Sequence, residues 1–197
     1  MDFCETQATA LPMLAGKYRE FSELYSKKLW HQLSEKLVAF LADASTRIDN
    51  SWQLLYSGFI KNFEGRLNQV LLASLVSTIG HSAADPAQGL ALFQEVLQSR
   101  DRLGKEASHC LELDIVLVRL RLNQLQEAQI ALDAAKERVS SFASSETVVF
   151  SKYYKASAEY RKVSCTCSCV DLLPRMLYVT ARRHGKHLLH FLRKFCD

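Results

Sequence analysis

KEASHCLELDIVLVRLRLNQLQEAQIALDAAKERV, residues 105–139, is the stretch whose reading decides the fold. Its first half is apolar on more than one side. Leu111, Ile115, Val118 and Leu122 recur at helical spacing, and Leu113, Val116, Leu117 and Leu120 crowd beside them. A helix apolar on several sides has to be sandwiched between neighbours. Asn123-Gln124 then leaves room only for a tight reversal, so the next helix runs back antiparallel. That helix carries Leu125, Ala128, Leu132, Ala135 and Val139 at steps of three and four, and its small residues let another helix approach closely.

The same periodicity extends in both directions. Towards the N-terminus the spacing predicts a helix from about Lys17 through Phe21, Leu24 and Tyr25. A second carries Leu29, Leu33, Leu37, Phe40 and Leu41, and the two meet around Lys27–Leu29. A third runs over 51–66 with Trp52, Leu55, Phe59 and Phe63 buried. A fourth covers 68–82 with Val70, Leu71, Leu75 and Ile79 inward. Asp85-Pro86 marks the start of a fifth, because Asp caps exposed amides and proline loses nothing at the first helical position. Leu90, Phe93 and Leu97 share a face of that helix, and Gly104 ends it. Beyond the polar break at 140–145, an eighth helix over 146–162 aligns Val149, Tyr153, Ala156 and Tyr160. Residues 1–16, with Pro12 and Ala15-Gly16 and no visible period, read as a flexible leader. No segment has a useful strand period. The chain is expected to be all-α, with helix pairs stacked as a solenoid or an irregular bundle.

Composition agrees. The 197 residues are 48% hydrophobic and 23% charged, with only three prolines and seven glycines to interrupt helices. The longest apolar run, Val70–Ile79, is too short to span a membrane and contains Ser74, Ser77 and Thr78. Asp2 and Glu5 at the start do not suit a secretory signal, which places the chain in the cytosol or nucleus. Charge and chemistry shift near residue 163. Residues 163–197 hold six cations against two anions, which is the whole formal excess of +4, whereas 1–162 balance at nineteen of each sign. Four of the six cysteines and three of the six histidines also fall in that tail.

Three stretches form a recognisable set: LYSKKLWHQL at 24–33, YSGFIKNFEGRLN at 56–68 and SKYYKASAEYR at 151–161. Together they resemble the 26S proteasome non-ATPase regulatory subunit 13 family, over about residues 17–162. The resemblance implies right-handed, tetratricopeptide-like antiparallel helix hairpins. It also implies a non-catalytic scaffolding role in the proteasome lid, with other lid subunits as partners and with no cofactor and no small-molecule substrate. In that family more helices and a PCI winged-helix domain follow. Here VSCTCSCVDLLPRMLYVTARRHGKHLLHFLRKFCD takes their place, and the PCI domain is expected to be absent. Lys162-Val163-Ser164 can be encoded AAG-GTG-AGC, which contains a splice-donor-like GGTGAG, so residues 163–197 read as translated intron, from a retained intron or a gene-model error, with a real isoform as the alternative.

Candidate chemistry is sparse. Cys165, Cys167 and Cys169 with His184, His187 and His190 supply zinc-binding atoms, but one-residue cysteine spacing does not suit a zinc site, and no metal is expected. His109-Cys110 cannot act as a nucleophile pair, because adjacent helical residues point about 100° apart. His31, beside Trp30, has no apparent ligand partner. Asp133 and Glu137, interleaved with Lys136 and Arg138, read as a solvated face. The tail stretch 186–195 is a basic amphipathic helix if helical, with Leu188, Phe191, Leu192 and Phe195 on one face. It either caps the last helix pair or docks a partner or a membrane surface. Nucleic-acid binding has no motif to support it. The candidate partner-binding residues are Tyr153, Tyr154 and Tyr160 on the last predicted helix, with Leu188, Phe191, Leu192 and Phe195 in the tail. The alternative function is a free-standing helical-repeat adaptor whose tail docks a membrane or partner.

Overall fold

The computed structural model describes residues 2–48, 50–98, 103–139, 141–142 and 148–165. Among these, all regular structure is helical. The α-helices are α1 (Phe3–Ala10), α2 (Ala15–Ser26), α3 (Trp30–Ala42), α4 (Ser51–Gly58), α5 (Gln69–Ser82), α6 (Pro86–Gln98), α7 (Lys105–Arg121), α8 (Leu125–Val139) and α9 (148–165). Helices adjacent in sequence pack together along α1–α2–α3 and along α5–α6–α7–α8, and α5 also touches α3, α4 and α7.

The helix boundaries follow local chemistry. Asn68 caps α5 by accepting the Val70 amide at 2.9 Å, and Asp85 accepts the Ala87 amide at 2.9 Å in front of Pro86. Both satisfy donors that a helix start leaves open. α2 and α3 separate where the sequence divides them, at Lys28, whose φ of 56° is left-handed. Asn123, at φ 58°, makes the reversal between α7 and α8; asparagine tolerates this conformation better than most residues.

α7 separates two cores. Leu111, Ile115 and Val118 are buried in the large core built by α1–α6. Leu113, Val116 and Leu120 are buried against Ala128, Leu132 and Ala135 of α8 and Ala156 of α9. The two stripes read from the sequence are thus the two contact faces. Full burial of one such side chain is worth about 1.5–3 kcal/mol, so a helix with both faces covered is the best-anchored element of the chain.

Three expectations are corrected. Phe3–Ala10 is not a loose leader but a helix, with Cys4 and Ala8 buried. Asp2 caps it, taking the Cys4 amide at 3.4 Å and the Ser22 hydroxyl at 2.5 Å. The Phe3 ring packs on Gly58 and stacks on Phe59 with centroids 6.3 Å apart, a contact that no sequence period reveals. The third predicted helix stops at Gly58 rather than Arg66. Phe59 leaves helical geometry at φ −130° and ψ −61°, and 3₁₀ turns at Ile60–Asn62 and Glu64–Arg66 follow. Phe59, Ile60 and Phe63 still reach the core, so the apolar spacing survives although the helix does not. Val70, expected inward, is 51% exposed in the first turn of α5.

Candidate interaction surface

α9, the last of the described helices, carries the three tyrosines singled out in the sequence. Val149 and Ala156, seven residues apart, are its fully buried apolar residues. Tyr153 and Tyr160, half-buried on the same stripe, pack against the α7–α8 core, and the Tyr160 hydroxyl donates to Gln129 Oε1 at 3.1 Å. Tyr154 points away: it is 66% exposed, with its ring edge-on to Tyr153 at 5.6 Å. The structure therefore divides the trio. Tyr153 and Tyr160 seat the helix, and Tyr154 offers its ring to solvent. Leu188, Phe191, Leu192 and Phe195 lie outside the described residues, as do the cysteine and histidine positions from 166 onward.

α9 is held by a polar cluster that sequence reasoning missed. Lys152 Nζ donates to Asp114 Oδ2 of α7 at 2.5 Å and to Ser77 Oγ of α5 at 3.2 Å. His81 Nε2 lies 3.1 Å from Asp114 Oδ1. Asp114 is 2% exposed. Burial alone raises its pKa, but the His81 hydrogen bond and the Lys152 charge and hydrogen bond outweigh it, and the carboxyl is held below its ordinary 3.8. A signal for this existed. Asp114 interrupts an apolar run, and a carboxylate sandwiched between two cores demands a cation from a neighbouring helix.

Elsewhere the titratable groups are structural. His109 Nδ1 is 3.3 Å from Glu112 Oε2, its ring stacks on Phe142, and Arg138 pairs with Glu112 at 2.9 Å. Burial pushes the Cys110 thiol up to about 11, which leaves little thiolate for nucleophilic work. His31 is exposed and lies 3.5 Å from Glu35, one turn along α3. Trp30 stacks on Phe63 with centroids 5.8 Å apart, joining two of the three family-like stretches. Among the described residues, no group of His, Cys, Asp and Glu is placed to hold a metal ion, and no helix is long and apolar enough to cross a membrane.

A groove of about 580 Å³ runs between α8 and α9, bordered by Tyr153 and Tyr154 and by Lys136 and Arg161. On the other side of α9, a second groove of about 480 Å³ has Leu117, Leu120 and Val163 in its lining, with Arg121, Lys155 and Glu159 among its charges. The arrangement is a two-sided helical ridge with aromatic and cationic edges, the kind of surface that packs against another protein.

Comparison with known proteins places this architecture. The PSD13 N-terminal repeats family matches residues 17–167. The 26S proteasome non-ATPase regulatory subunit 13 homolog B of Arabidopsis thaliana is 27% identical over 168 residues, covering 83% of this chain and 43% of the relative. The probable 26S proteasome regulatory subunit rpn9 of Schizosaccharomyces pombe is 27% identical over 186 residues, covering 87% of this chain and 48% of the relative. The 26S proteasome non-ATPase regulatory subunit 13 of Dictyostelium discoideum is 23% identical over 172 residues. The chain spans less than half the length of these relatives. With the family's repeats matched across all but the first helix and the start of the second, the chain belongs to the PSD13 N-terminal repeats family.

Proposed function

We propose that the chain is a non-catalytic structural subunit of the proteasome regulatory particle lid, acting in the cytoplasm and nucleus. In this reading it supports ubiquitin-dependent protein degradation by holding other lid subunits. The observation that carries it is the family match over 17–167, joined to relatives named as regulatory subunits of the 26S proteasome. The geometry is in keeping with this. Tyr154 is exposed at the edge of α9, and a groove flanks the helix on either side. The successive packing of α5, α6, α7 and α8 supports reading the helices as a solenoid, whose right-handed, tetratricopeptide-like form rests on the family resemblance.

The test is affinity purification of the tagged chain from cells, with subunits identified by mass spectrometry. Stoichiometric co-purification of proteasome lid subunits is expected, weakened by Tyr154→Ala. A chain recovered without lid subunits, from cells whose proteasomes are intact, would refute the assignment.

A further inference from the structure

The α8–α9 groove has a chemical bias that names its occupant; the inference deepens the reading of α9 as a protein-docking ridge and rests on it. Among the described residues, the charged residues lining this groove are Lys136 of α8 and Arg161 of α9. Both are exposed, and among the described residues neither side chain is paired with a carboxylate. Two other surface cations, by contrast, are neutralised within the fold: Lys36 pairs with Glu20 at 2.7 Å and Arg138 with Glu112 at 2.9 Å. Val139, Ala158 and the Tyr154 ring line the same groove, and the Ser157 hydroxyl is there without a hydrogen-bond partner. The opposite groove differs, because Glu159 lies among its cations.

We propose that the α8–α9 groove docks an acidic amphipathic helix of a partner protein. Its apolar face would lie on Val139, Ala158 and Tyr154, and its carboxylates on Lys136 and Arg161. Helix-in-groove recognition needs an apolar floor with flanking charge that sets orientation, and both are present. Charge argues against the other occupants. Residues 163–197 of this chain carry six cations against two anions, and would bring like charge to the groove. A second copy docked through the same face would set Lys136 and Arg161 against themselves. Nucleic acid is recognised through a track of phosphate contacts, and two cations do not make one.

The probes are a fluorescein-labelled helical peptide with a Leu/Phe face flanked by glutamates, and its twin with lysines in their place. Each is titrated into the full chain and followed by fluorescence anisotropy. The glutamate peptide is expected to bind at least tenfold more tightly than the lysine twin. The K136E/R161E chain should reverse that preference, with an unchanged circular-dichroism melt because both positions are exposed. Equal binding of the two peptides, or binding of the glutamate peptide unaffected by K136E/R161E, overturns the proposal. Purifying tagged K136E/R161E from cells separates the two readings. Lid subunits retained at wild-type levels would sink the acidic-helix proposal and leave the lid assignment standing. Peptide preference reversed as expected, with no lid subunits on the wild-type chain, would sink the lid assignment and leave the groove's chemistry standing.

Discussion

Lys152 is the cation that lets Asp114 lie inside a helix interface: the two side chains, 38 residues apart in sequence, meet at 2.5 Å. α9 buries only Val149 and Ala156 completely, whereas α7 buries ten residues. The docking of α9 therefore leans on the polar cluster more than that of α7 does. A buried ion pair contributes little net stability, but removing one partner is costly because the other is left charged and desolvated.

Lys152→Met should therefore destabilise the chain by about 3 kcal/mol, the usual penalty for stranding a buried charge. His81 remains beside Asp114 and relieves part of the loss. The double variant Asp114→Leu/Lys152→Met removes both charges and should be clearly more stable than Lys152→Met alone. Urea denaturation of the wild type, both single variants and the double variant measures the coupling. Simple addition of the two single costs would show that the pair does not act as a unit.

The same carboxylate sets a pH dependence. Asp114 has a folded pKa below its ordinary 3.8, so it binds fewer protons in the native state than in the unfolded state on approach to that pH. Its contribution to stability is present above the unfolded value and is lost as pH falls through the folded one. The wild type's advantage over Asp114→Asn should be full above about pH 5 and shrink steadily below 3.8. Urea midpoints of both chains across pH 3–7 read this difference. A gap that stays constant over the range would contradict the assignment.

How much of this was legible in the sequence depends on whether the signal is periodic. The two stripes of α7 were readable because burial on both sides leaves apolar residues at two helical phases. The cap at Asp85 was equally local. The Lys152–Asp114 pair was not readable, because its partners come from different helices and only the demand, an aspartate within LELDIVLV, is visible. α1 was missed for a related reason. Eight residues are too few to show a stripe, and its anchor is one ring fitting a glycine, Phe3 on Gly58. The candidate tyrosines were found as a group, but only the fold separates Tyr154, at the surface, from Tyr153 and Tyr160, which seat the helix.

A close backbone approach gives a third test. α5 and α6 cross where Gly80 and Gly89 meet, and a methyl at Gly89 would strike the Gly80 carbonyl oxygen. Backbone cannot rotate aside as a side chain can. Overpacking costs about 1–3 kcal/mol, against a helix-propensity gain of about 1 kcal/mol for Gly→Ala. Gly89→Ala is thus expected to be destabilising, by about 1 kcal/mol or more, despite improving the isolated helix. Gly16→Ala, in the first turn of α2 with open space around it, is the control and should be neutral or stabilising. Thermal melts showing Gly89→Ala no less stable than Gly16→Ala would mean that α5 and α6 do not cross this closely.

Thiol chemistry reports on α9 separately from the rest of the fold. Burial, with Asp2 and Glu5 nearby, pushes Cys4 up to about 12. Burial pushes Cys110 up to about 11, opposed by Lys152 and assisted by Asp114 and Glu106. Cys165 is exposed. In the native chain, iodoacetamide at pH 8 should label Cys165 and spare Cys4 and Cys110, as read by peptide mass mapping, since the thiolate is the reacting form. The two protected thiols differ in what covers them. Cys4 lies in the main core, whereas Cys110 packs with Val139 of α8 and Val149 of α9. In Lys152→Met, loosening of α9 should expose Cys110 first and leave Cys4 protected until denaturant unfolds the whole. If both thiols instead lose protection together in that variant, α9 is not an independently released element, and the cluster stabilises the fold as a whole rather than holding one helix in place.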